Sequence, residues 1–211
     1  MLLKGLGESL YMTLSSTVLA YLFGLPLGIL LVVTEPSGLA PRPWLNSALG
    51  LVVNSARSVP FLILLVAVLP FTRAIVGTTI GTTATIVPLV LGAAPFIARL
   101  VESSLKEVDQ GVVEAALAMG ASPLQIVLKV LLPEAGPSLI LGSAIAVTTI
   151  LGYSALAGFV GGGGLGDIAI RFGYYRYQKD TMLVTVLLLV VLVQLFQGFG
   201  MRLAKRSDKR L

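Results

Sequence analysis

Three patterns in the sequence could do chemistry. Gly161, Gly163 and Gly166 satisfy G-x-G-x-x-G, the spacing that seats a dinucleotide pyrophosphate when it joins a soluble strand to a helix. Here the run follows a long apolar stretch instead of a strand, so a dinucleotide site is not supported. A flexible or re-entrant loop is, because glycine permits tight backbone turns. Ser143 and Ser154 sit in apolar surroundings where a serine nucleophile could hide. The chain has no His and no Cys, and no Lys lies between Lys129 and Lys179, so neither serine has a base. The same absences remove thiol chemistry and nearly all zinc or haem ligation. No G-x-x-x-x-G-K-[ST] segment occurs, so this chain lacks the loop that cradles the phosphates of ATP. The third pattern is a pair of isolated cations, Arg57 and Arg99, near the ends of apolar runs. Snorkelling to lipid phosphates is the reading expected of both.

The elements that must carry these residues follow from composition. Of 211 residues, 56% are hydrophobic and only 12% charged, and the mean hydropathy is +0.95. An ordinary soluble domain carries about 25% charged residues, and disorder needs still more charge and less hydrophobicity, so both classes are excluded. Crossing a bilayer core of about 30 Å takes roughly 20 apolar residues of helix. Uncharged or nearly uncharged runs of that length cover Ser9–Thr34, Pro43–Thr72 (interrupted by Arg57), Ala74–Ala98, Ala135–Gly166 and Thr181–Met201. The expected fold is therefore an all-α membrane protein. It has five transmembrane helices, at about 9–34, 44–71, 82–105, 136–160 and 181–203, in a single domain over 1–211. The first run is too long for the h-region of a signal peptide and Lys4 is a thin n-region, so it is read as retained. Pro60, Pro88 and Pro95 lie inside spans and predict kinks.

Net charge is +5, and Arg202, Lys205, Arg206, Lys209 and Arg210 crowd the last ten residues. The positive-inside bias puts this tail in the cytoplasm. An odd number of spans then leaves the N-terminus outside. The 35–42 loop and the 99–134 segment fall inside, which collects ten basic residues there against five outside. Arg171, Arg176 and Lys179 of the 167–180 loop run against the bias. The glycine run lies outside, as a candidate outer-loop gate.

Between spans three and four lies the one segment with a soluble-style pattern. Glu102 precedes Lys106 by four residues, the favourable order for a helical pair. Asp109 can cap a new helix with Val112, Val113, Ala116 and Leu117 on one face. Gly120 can take positive φ and end it. Ser122 followed by Pro123 starts a second helix through Leu124, Val127, Leu128 and Leu131, with Lys129 outward and a stop near Pro133. The spacing thus predicts a helical hairpin at 107–133. Without further information it is either an amphipathic element in the lipid interface or a docking site for another protein.

The hairpin carries a resemblance. Glu114-Ala115-Ala116, then Gly120, then Val130-Leu131-Leu132-Pro133 resembles the EAA loop of permease subunits of ATP-binding-cassette importers. That family commonly has Ile where Val130 stands. Arg57-Ser58-Val59-Pro60-Phe61, Gly92-Ala93-Ala94-Pro95-Phe96-Ile97-Ala98-Arg99, Gly152-Tyr153-Ser154-Ala155 and Gly163-Gly164-Leu165-Gly166 are similar to methionine-importer permeases. The likeness extends over roughly 8–200. It implies a permease subunit for D- and/or L-methionine in a bacterial inner membrane, working by alternating access. The hairpin would be the coupling helix that fits a cleft on a separate ATPase, through Glu114, Ala115, Ala116, Gly120, Ala121, Ser122, Pro123, Leu132 and Pro133. The implied partners are a cytoplasmic ATPase dimer, an extracytoplasmic substrate-binding lipoprotein, a second copy of the chain and membrane lipid. No nucleic acid is implied. ATP and Mg²⁺ would be bound by the ATPase and no cofactor by this chain.

Span four offers Ser143, Thr148, Thr149, Tyr153 and Ser154 as candidate pathway-lining residues. Small and weakly polar groups permit close packing and line a path without holding a solute tightly. Permeases for other polar amino acids or small solutes share the EAA loop and form the alternative reading. An ion-coupled carrier is a further one. It is disfavoured because no buried Asp or Glu is expected to bind a permeating cation and no relay of acids and histidines is present, though backbone carbonyls of broken helices can hold Na⁺.

Overall fold

The structure is a computed structural model and describes Met1–Ser207. Lys209 and Arg210 of the basic tail lie outside the described residues. The described residues form helices and turns only. α1 (Leu2–Val33), α2 (Pro43–Ser58), α3 (Phe61–Ala67), α4 (Leu69–Val76) and α5 (Thr82–Lys106) precede the short α6 (Gln110–Ala118), α7 (Pro123–Ile126) and α8 (Leu132–Glu134). A π-helical turn, Val127–Leu131, joins the last two. α9 (Gly136–Leu156) closes in a 3₁₀ turn at Ala157–Val160. α10 (Gly164–Ile168) runs into a second π-helical turn at Ala169–Tyr174, and α11 (Lys179–Ser207) follows.

Among the described residues four helical stretches are long and apolar enough to cross a membrane: Leu2–Val33, Thr82–Lys106, Gly136–Val160 and Lys179–Ser207. A fifth span exists only if the sharply bent pair α2 and α3 is taken as one. The expected helix at 44–71 is thus broken, and the break falls at Pro60. Proline biases the residue before it away from helical backbone, so α2 stops at Ser58, and Pro60 (φ −56°, ψ 132°) is extended ahead of α3. Pro88 and Pro95 do not break α5, nor does Pro26 break α1.

The chain sorts into two compact units. One comprises Met1–Ala20, Val59–Ala93 and Ile145–Gly198. Its centre is Leu151, Leu165 and Leu192, with Leu6, Leu10, Leu188 and Phe196 packed against them. In lipid the hydrophobic drive between helices is weak, so close approach and hydrogen bonds must hold such a unit together. Both are present. Phe61 stacks on Tyr153 with ring centroids 4.3 Å apart, and the amide of Gly81 donates to the carbonyl of Gly161 at 3.0 Å.

The other unit comprises Tyr21–Ser58, Ala94–Ala144 and, of the described residues, Phe199–Ser207. Leu31, Val53 and Ala98 form its centre, with Leu27 and Leu49 against them. A Cβ at Gly24 would lie 2.8 Å from the carbonyl oxygen of Ala94, and one at Gly28 would lie 2.6 Å from that of Ala98. This G-x-x-x-G pair therefore lets α1 and α5 meet backbone to backbone. Polar ties add to the packing. Asn46 Nδ2 donates to the Leu31 carbonyl at 2.6 Å and to Thr34 Oγ1 at 3.1 Å. Arg99 donates to Glu102 at 2.5 Å and to Asn54 Oδ1 at 2.8 Å. Lys106 lies 3.1 Å from both Glu102 and Glu35. Arg99 is therefore engaged by α2 and its own helix and does not snorkel, whereas Arg57 is exposed. The Glu102–Lys106 pair forms as its spacing predicts.

Candidate functional site

The helical hairpin is built from short-range chemistry at each end of each helix. Asp109 caps α6, its Oδ1 accepting from the amide of Gly111 at 2.7 Å. α6 ends where the Ala121 amide donates to the Ala116 carbonyl and the Gly120 amide to that of Leu117, at 3.1 and 2.9 Å. Those two bonds require a left-handed residue between them. Gly120, at φ +78°, supplies it without a Cβ clash. Two residues later Ser122 opens α7 with a reciprocal capping box. Its Oγ accepts from the Gln125 amide, and Gln125 Oε1 accepts from the Ser122 amide, while Pro123 occupies the first turn, where its missing N–H costs nothing.

The second helix stops at Glu134, near Pro133 as its spacing predicts, but it passes through a widened turn on the way. Pro133 has no amide to donate and its ring crowds the preceding turn. The backbone widens just before it, with the Leu132 amide reaching back five residues to Val127. Pro133 then sits in the first turn of α8, and the helix carries on to Glu134.

Burial sorts the predicted site residues into two sets. Ala116, Ile126, Val127 and Leu131 are buried and fix the hairpin to its unit. Glu114, Ala115, Gly120, Ser122 and Pro123 face outward, as does Pro133, while Ala121 and Leu132 are half-buried. Large apolar side chains stand out with them: Met119 is 82% and Leu124 67% exposed, and Leu117 and Leu128 are also exposed. Glu114 further lines a cavity of about 640 Å³ with Glu35, Leu39, Lys106 and Gln110. What the arrangement offers is a stiff projection with small residues for close approach, a carboxylate, and exposed apolar side chains at its turn.

The other predicted residues are placed differently. The hydroxyls of Ser143, Thr148, Thr149 and Ser154 donate to carbonyls of their own helix, at Ile140, Ile145, Ile145 and Leu151. Tyr153 is the stacking partner of Phe61. The glycine run is a folded turn and no loose loop. Gly161 ends the 3₁₀ turn in left-handed conformation, Gly163 precedes α10, and a Cβ on Gly166 would fall on the backbone of Ala155.

Two contacts at this turn come from the far end of the chain. Glu8 Oε2 accepts from the Gly164 amide at 2.8 Å, and Ser9 Oγ from the Leu165 amide at 2.9 Å. The chain separation is 156 residues in both cases. The one available signal was a carboxylate at the very edge of an apolar run. The G-x-x-x-G spacing at Gly24 and Gly28 was equally readable from the sequence.

With the geometry in place, comparisons with known proteins are decisive. The family described as binding-protein-dependent transport system inner membrane component matches residues 24–211. The chain belongs to this family. It is therefore a transport subunit of a bacterial inner membrane and not itself a catalyst. A probable D-methionine transport system permease protein MetI from Vibrio cholerae is 54% identical over 210 residues, which cover 100% of this chain and 93% of that protein. The D-methionine transport system permease protein MetI of Escherichia coli K12 is 51% identical over 158 residues, 75% of this chain and 73% of its own. A solved structure described as inward-facing conformations of the MetNI methionine ABC transporter superposes with a TM-score of 0.98 at 48% identity, covering 99% of this chain and 97% of that one. An amino-acid ABC transporter at 17% identity shares the fold, with a TM-score of 0.81 over 97% of this chain and 93% of its own.

Proposed function

We propose that this inner-membrane component is the permease subunit of an ATP-driven methionine importer. The observation that carries the reading is 54% identity to a MetI-type permease along the full chain. Substrate assignment to D- and/or L-methionine rests on that likeness. So does the assembly: two copies of this chain, a cytoplasmic ATPase dimer that binds ATP and Mg²⁺, and an extracytoplasmic binding lipoprotein. The chain is read as one permease domain over 1–211, with the bent pair α2–α3 counted as a fifth span. The C-terminus is cytoplasmic and the N-terminus outside, which puts the 107–133 hairpin on the ATP side. The basic residues of the 167–180 loop weigh little against this orientation. Arg171 pairs with Asp167 at 3.0 Å, and the Arg176 guanidinium lies over the Phe172 ring at 4.8 Å.

In this reading Glu114, Ala115, Ala116 and the Gly120–Pro123 turn dock on the ATPase, with Leu132 and Pro133 holding the base of the hairpin. ATP binding draws the two hairpins together and opens the pathway outward to the loaded binding protein, and hydrolysis resets it. Ser143, Thr148, Thr149, Tyr153 and Ser154 supply a weakly polar lining, and the Gly161–Gly166 turn closes the outer side. A transient site of this kind suits an importer whose partner protein does the tight binding.

The test is radiolabelled methionine uptake in vesicles reconstituted with all three proteins. ATP-dependent accumulation is expected. Gly120→Leu, which puts a side chain into the left-handed turn, should insert normally and lose most of its uptake. Wild-type uptake by that variant would refute docking through the hairpin. Uptake by this chain alone, driven by an ion gradient without ATP, would replace the importer with a carrier.

A further inference from the structure

Beside the hairpin, in the same unit, the end of α5, α8 with the start of α9, and the end of α11 line an open cavity of about 360 Å³. Its charged lining is Glu107, Glu134 and Lys205, its floor is Ser104 and Ser138, and Leu141 forms an apolar wall. Ser104 is buried, and Ser138 Oγ donates to Ser104 Oγ at 3.0 Å, so the floor is built and polar. None of the three charged side chains, all of them exposed, has an ion-pair or hydrogen-bond partner among the described residues, whereas Glu102 of α5 is paired. Two carboxylates and one ammonium present both signs of charge around one cavity. The complement is a small zwitterion whose cation meets Glu107 and Glu134 and whose anion meets Lys205 and the serine floor.

Position decides which zwitterion. The cavity lies at the ends of three helices long and apolar enough to cross a membrane, where lipid headgroups sit. Met201, one turn before Lys205 on the same face of α11, is exposed and apolar, a surface suited to an acyl chain. The Lys205 stem can lie along it with its ammonium at headgroup level. We infer that this cavity is a binding site for a phospholipid bearing a primary ammonium, a phosphatidylethanolamine headgroup. A primary ammonium has three N–H donors for two carboxylates, and a quaternary choline has none. An anionic glycerol headgroup would meet the acids with the wrong charge.

The test is native mass spectrometry of the full chain exchanged into nanodiscs containing equal parts phosphatidylethanolamine, phosphatidylcholine and phosphatidylglycerol. Phosphatidylethanolamine should be retained about tenfold over each of the others, the ratio that corresponds to about 1.4 kcal/mol. Glu107→Gln/Glu134→Gln should erase the preference over phosphatidylcholine. Lys205→Gln, at an exposed position that folding does not depend on, should weaken retention of all three lipids. Equal retention of the three lipids by the wild-type chain, or an unchanged preference in the double variant, would overturn the assignment. So would displacement of the retained lipid by millimolar free methionine, which would give the site to the amino acid instead.

Discussion

The hairpin and the glycine turn are both short connections between long helices, and they are held by opposite means. The hairpin is self-contained: Asp109, Gly120, Ser122 and Gln125 satisfy its backbone within a few residues, and its larger side chains at the turn point outward. The glycine turn is held from a distance. Glu8 and Ser9, 156 residues earlier, supply the acceptors for its first helical amides, and Gly158 and Gly166 allow contacts that any side chain would block. One connection is finished locally and leaves its surface free for a partner. The other is consumed by the fold.

This contrast can be broken most severely at Gly166. Gly166→Leu drives a side chain into the Ala155 backbone, which cannot yield, so the cost should exceed about 3 kcal/mol, and little monodisperse protein should survive detergent extraction. A variant of normal yield would mean the turn is looser than its contacts indicate. Next, Met119→Glu with Leu124→Glu should leave extraction and thermal melting untouched while weakening association with the ATPase by about 30-fold, roughly 2 kcal/mol. Normal association in a pull-down titration would show that the exposed hairpin side chains do not bind there. Third, Glu8→Ala strands the Gly164 amide and should lower stability by about 1–3 kcal/mol in a melting assay, whereas Glu8→Gln keeps an acceptor and most of the stability. Smallest, Ser122→Ala should cost about 1 kcal/mol and act locally. Amide exchange should quicken over residues 123–131 with the global melting point hardly moved. A global shift as large as that of Glu8→Ala would erase the distinction between the two connections.

The same distinction explains what could be read from the residues in order. Asp109, Gly120 and the Ser122-Pro123 pair announced their caps because capping joins residues two to five apart. Four of the apolar runs announced their spans because length alone tests them. The fifth run did not reveal that Pro60 breaks it where Pro88 and Pro95 leave α5 whole, since proline's effect depends on what packs around it. Arg99 read as a snorkelling cation because two of its partners, Asn54 and Gly50, lie 45 and 49 residues away, although the third, Glu102, is three residues on. The glycine run read as flexible for a related reason. Glycine permits motion and close contact alike, and only Ala155, Glu8 and Ser9 decide between them.

The π-helical turn at Val127–Leu131 sets a phase. It holds one residue more than an α-turn, with the Leu132 amide bonded to Val127. Each residue of α-helix advances about 100° around the axis, so a stripe of apolar positions counted along α7 names the wrong face once it passes Leu132. Deleting one residue from this turn would let a plain helix run through. It would leave every side chain up to Ala144 on its present face, with Ser138 still on Ser104 and Leu141 in the cavity wall, because the wide turn already absorbs the surplus residue. The wide turn is thus a register key: a plain helix through all of these residues, with none removed, would misdirect the start of α9 by about 100°.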